Sequence, residues 1–155
     1  MKRKLTASLL LTLVAISLAG CHKASTSTPA TPVPVDVRIA QAVQIVAVTN
    51  QGCSTALVNL SQAGLVSQAD SKKIAAYLTG VATMTEGIAK ILKQDSTVPW
   101  ATKAVQIQNL ALSLVPPTGF KYLGMANADQ WTAFTTALNV VESTIQSIVI
   151  IVKSQ

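Results

Sequence analysis

The sequence predicts an all-α protein, a four-helix up-down bundle with a short third helix and a long apolar loop before the last helix. Three observations carry that expectation. Apolar residues recur at alternating steps of four and three over long stretches, which is the spacing of one helical face. The stretches are separated by breaks at Gly64, Asp95–Pro99 and Pro116-Pro117. Half of all residues are apolar and only 12% are charged, so the chain has the material for a buried core and argues against disorder.

The first helix is expected over 37–63. Its seam reads Ile39, Val43, Val46, Asn50, Cys53, Leu57 and Leu60, and Gly64 is placed to stop it. Cys53 on that seam reads as a small buried hydrophobe, with a reactive or intermolecular thiol as the alternative. Asn50 reads as a polar pin of helix register, or a bend near Gly52. Ser67 begins the second helix, with Asp70 three residues on in a capping arrangement. The helix runs to Gln94 on the seam Ile74, Leu78, Val81, Thr85, Ile88 and Leu92. A neighbouring line holds Tyr77, Gly80, Met84, Gly87 and Ile91. Two glycines seven apart would admit a close helix, or else leave a shallow groove for an acyl chain or small apolar ligand.

Asp95, Ser96 and Thr97 supply capping residues for a third helix, and Pro99 stands where a helix tolerates proline. Trp100, Ala104, Ile107, Ala111 and Leu114 share its face before Pro116-Pro117 ends it. The connection over 115–126 holds Phe120 and Tyr122, two of the six aromatics, with Lys121 between them. It either folds back over an open edge of the core or forms a partner-binding lip anchored by Phe120, Lys121 and Tyr122. Asn127 caps the last helix, whose seam is Trp131, Phe134, Leu138, Val141, Ile145, Ile148 and Val152. Val149, Ile150 and Ile151 widen its end, which then needs cover from the bundle or a second copy. Asn139, Glu142 and Gln146 interrupt the apolar run and argue against a membrane span.

Ahead of the bundle stand two further segments. Residues 21–36 begin with Cys21 and continue as a Ser/Thr/Pro tether, able to reach roughly 45 Å at ~3.1 Å per residue. Residues 1–20 read Met-Lys-Arg-Lys, an apolar run from Leu5 to Leu18, and then Ala19-Gly20 before Cys21. That is the layout of a secretory signal, and its apolar run is short of the ~18–20 residues that span a bilayer. Leu18-Ala19-Gly20-Cys21 resembles the lipobox of bacterial lipoprotein precursors. The resemblance covers about the first 21 residues and implies cleavage between Gly20 and Cys21, a diacylglyceryl thioether on Cys21 and an acylated amine. It also implies a bacterial cell-envelope location. With His22 after the cysteine, the family's sorting pattern points to the outer membrane, facing the periplasm.

The domain plan is therefore a signal peptide over 1–20, lipidated cysteine and tether over 21–36, and the bundle over 37–155. Removing Lys2, Arg3 and Lys4 leaves nine Lys/Arg against six Asp/Glu, a net charge of +3 instead of +6. The nine are scattered and lack interleaved aromatics, so no nucleic-acid partner is expected. His22, at the start of the tether, is the only histidine, so no base is available for the serines and threonines. No zinc motif, phosphate loop, Glu-x-x-His repeat or nucleophile elbow occurs. Asp36, Asp70, Asp95 and Asp129 fall near helix starts, where the dipole favours negative charge. The expectation is a non-catalytic, lipid-anchored protein without cofactor or metal, its bundle serving as a protein-interaction or structural module. Its partners would be the membrane, through the N-terminal lipid, and an unknown envelope protein, or a second copy. The alternative is a carrier of a lipid or small apolar ligand within the bundle.

Overall fold

The computed structural model describes residues 33–119, 123 and 128–154. Four helices follow in chain order: α1 (Val35–Gln62), α2 (Gln68–Leu92), α3 (Trp100–Leu112) and α4 (Ala128–Lys153). α1 packs against α2 and α4, and α3 packs against the same two. The diagonal pairs are thus α1 with α3 and α2 with α4. This is the expected four-helix bundle, with α3 half the length of the others.

The expected seams of α1, α2 and α4 are buried apart from Leu92 and Trp131, whereas on the α3 seam Ile107 and Ala111 are buried and Trp100, Ala104 and Leu114 only partly so. All seven α1 positions from Ile39 to Leu60 are buried, as are six of the seven α4 positions, with Trp131 half-buried beside Phe134. Their ring centroids lie 5.7 Å apart. Phe134, Ile39, Ile74, Ile107 and Ile148 are among the fully enclosed side chains, so every helix contributes to one core. Burial of a large aliphatic or aromatic side chain stabilises by about 1.5–3 kcal/mol. The core is therefore what holds the chain in this form.

Local chemistry sets the boundaries. α1 begins two residues before the expected start, inside the segment assigned to the tether. Pro34 is its N-cap at φ −52°, and its carbonyl accepts from Arg38 N–H at 3.1 Å. Proline's fixed φ suits that position, and Asp36 stands in the first turn. At the other end Gly64 takes φ +69°, Gly64 N–H donates to Ser61 O, and Leu65 N–H to Leu60 O. This is a Schellman stop, and Leu60 and Leu65 are both buried, which adds its usual hydrophobic contact. Ser67 Oγ accepts from Asp70 N–H at 3.0 Å and starts α2 as expected.

α3 departs from expectation at its cap. Pro99 is the N-cap and no side chain caps the helix. Asp95 instead accepts from Thr97 N–H at 2.9 Å, tightening the turn that precedes the helix. That bond holds its carboxyl below the usual carboxylate range. α3 also ends at Leu112, two residues short of the expected end. The widened end of α4 is not fully covered either, since Ile150 is 66% exposed. α4 is long and apolar enough to cross a membrane by length and composition, yet its seam is spent on α1 and α3.

Candidate functional site

Of the residues singled out from sequence, Gly20, Cys21, Phe120, Lys121 and Tyr122 lie outside the described residues. The loop is fixed at one described point. Leu123 N–H donates to the carbonyl of Leu65 at 2.9 Å, laying the chain against the turn between α1 and α2. Leu65 and Val66 are buried there. The bond brings this one point of the loop to the end of the bundle, while the residues that separate the two readings, 120–122, lie outside the described residues. Leu123 itself points largely to solvent.

The glycine line on α2 receives α3. A β-carbon added at Gly80 would stand 2.9 Å from Leu114 Cδ2, and one at Gly87 would stand 2.8 Å from Leu110 Cδ1. Both lie inside normal contact, so the ends of Leu110 on α3 and Leu114 just beyond it occupy the space that side chains at these two positions would take. Tyr77, Met84 and Ile91 on the same line are buried. The groove reading of this line gives way to packing.

Polar groups meet inside the bundle between α1, α2 and α4. Asn50 Nδ2 donates to the carbonyl of Leu78 at 2.9 Å, tying α1 to α2 and fixing the relative register of the two helices. Asn50 Oδ1 is buried with no partner among the described residues. One turn along, Cys53 is a free thiol that burial pushes up to about 11. Tyr77 is pushed up to about 12 by burial first, then by the charge of Glu142 and by Cys53. Glu142, on α4, is raised by partial burial. Burial holds the Cys53 thiol protonated, its unreactive form, at neutral pH.

A second feature lies at the end where Val33 enters the bundle, called here the entry end. A cleft of about 310 Å³ is lined by Val35 and Asp36 from α1, Leu92 from α2, and Trp100 and Lys103 from α3. Lys103 Nζ donates to the carbonyl of Gln94 at 2.9 Å. Trp100 Nε1–H is buried without an acceptor among the described residues. The sequence placed Trp100 on a core seam but gave no sign of this cleft, because its lining is gathered from three helix termini. No group of three or more metal-ligating side chains gathers among the described residues.

No family model matches the chain, and no curated protein or solved structure matches it.

Proposed function

We propose that this chain is a lipid-anchored protein of the bacterial cell envelope, held through Cys21, whose bundle acts as a non-catalytic interaction or structural module. The order of basic head, short apolar run and Leu18-Ala19-Gly20-Cys21 supports the anchor. The observation that best supports an interaction module is the outer face of α1. From Ile39 to Gln62 that helix has no charged residue, and Ile45, Val48 and Val58 project outward, each at least half exposed. Gly52 stands between them with nothing within 4 Å of where its β-carbon would be. Apolar side chains left together on an uncharged helix face are what a helical partner surface consists of.

Two observations favour this over a carrier. α3 fills the glycine line, and the buried seams pack on one another, leaving the cleft at the entry end open to solvent. A photo-crosslinking residue at Ile45 or Val48 in living cells tests the module. Discrete adducts at these positions, with none from Lys72 on α2, are expected; no adduct at either α1 position rejects the reading. A fatty acid or phospholipid that co-purifies with the unacylated domain would favour the carrier instead.

A further inference from the structure

The fold gathers cationic side chains that the sequence scatters. Arg38 stands in the first turn of α1, Lys90 and Lys93 at the end of α2, Lys103 in the first turn of α3, and Lys153 at the end of α4. α1 and α2 are antiparallel, the cleft lining puts the start of α3 beside them, and the Leu123–Leu65 bond starts α4 at the far end. All five cations therefore lie at the entry end, where Asp36 and Asp95 are the only acids of the described residues. The far end carries Lys72 and Lys73 against Asp70 and Asp129. Glu142 lies between the two ends, and Glu86 stands one turn before Lys90 on α2.

Apolar groups accompany the cations. Val33 is 53% exposed, Ile150 is 66% exposed, and Val37 is also exposed. Trp100 adds a half-buried aromatic ring at the lip of the cleft. Lysines ringed around exposed aliphatics and a tryptophan match an anionic bilayer surface, where the ammonium groups meet headgroups and the ring sits at the interface. The chain enters the bundle at this same end.

We propose that the entry end is a docking surface for anionic phospholipid, seating the bundle end-on upon the membrane. Docking does not depend on acylation of Cys21, so it can fail or succeed separately from the anchor. With its base on the lipid, the uncharged face of α1 stands upright above the surface, open to a partner.

The test uses the unacylated chain from His22 onward, which retains the whole core, and measures partition onto vesicles. Binding to phosphatidylcholine vesicles containing phosphatidylglycerol, weakened by salt, and negligible binding to pure phosphatidylcholine are expected. Changing Lys90→Gln, Lys93→Gln and Lys153→Gln together should lower partition roughly fivefold per cation, about a hundredfold in all. These side chains are exposed, and the double change Lys72→Gln/Lys73→Gln at the far end should retain most of the binding. Equal loss in the two variants overturns the assignment, as does binding that ignores lipid charge. Brominated lipid should quench Trp100 in a Trp131→Phe variant; equal quenching of Trp131 in a Trp100→Phe variant also overturns it.

Discussion

Replacing Asn50 with leucine should leave the protein as stable as before or make it more stable. The amide is buried and makes one hydrogen bond, from Nδ2 to Leu78 O at 2.9 Å, while Oδ1 has no partner among the described residues. One such bond contributes a net of about 0.5–1.5 kcal/mol, whereas an unsatisfied buried acceptor costs about 1–3 kcal/mol. Leucine removes both and adds aliphatic contact with a seam that already holds Val46, Cys53 and Leu57. The expected change lies between zero and a gain of about 2 kcal/mol. Urea denaturation followed by circular dichroism measures it, with an unchanged slope as the check on two-state unfolding. Asn50→Asp is the counterpart. A buried carboxylate facing a carbonyl oxygen should cost about 3–5 kcal/mol at neutral pH, the scale of an uncompensated buried charge. The loss should shrink in acid, where a protonated carboxyl donates to Leu78 O. A loss of more than about 2 kcal/mol in Asn50→Leu would refute the reasoning, because the amide would then be worth more than its one bond.

Three other outcomes follow from the packing and the buried titratable groups. Gly87→Ala should be close to neutral, since a helix-propensity gain of about 1 kcal/mol offsets a contact at 2.8 Å with the flexible end of Leu110, whereas Gly87→Leu should cost several kcal/mol by urea titration. Cys53, held near 11 by burial, should react with a thiol reagent at mildly alkaline pH only as fast as the bundle opens, so that denaturant accelerates labelling; rapid labelling of the native protein would show an accessible thiol. Glu142 is raised in the folded state, so folding favours its protonated form. Its contribution is complete below the ordinary glutamate value near ~4.3 and is lost as pH rises through the folded value. Glu142→Gln should flatten that limb of the stability-against-pH curve; an unchanged curve would contradict it.

The seams were legible because burial and spacing are the same fact in a helix. Ile39 to Leu60 and Phe134 to Val152 could be read one by one, and they form the core. Gly64 and Ser67 were legible as well, since each acts on backbone groups within a few residues. The start of α1 was misplaced because Val35 and Asp36 follow prolines and share the tether's composition, although proline at an N-cap can open a helix as readily as end a linker. Asp95 was misread as a helix cap for a similar reason: Asp suits both a cap and a turn, and the next backbone N–H in reach, from Thr97, took it. The convergence of Arg38, Lys90, Lys93, Lys103 and Lys153 was not legible at all. Charges far apart in sequence become neighbours only through the direction in which each helix runs. Asn50 was legible as a pin, but its acceptor, a carbonyl in the middle of α2, carries no signature in sequence.

Acylation at Cys21 is the central proposal, and labelling with a radioactive or alkyne-bearing fatty acid in a bacterial host tests it directly. The wild-type protein should take up the label and migrate with the membrane fraction, and Cys21→Ser should lose the label and keep its uncleaved leader. Label that persists in Cys21→Ser, or a wild-type protein that is processed without ever acquiring acyl groups, would contradict the account.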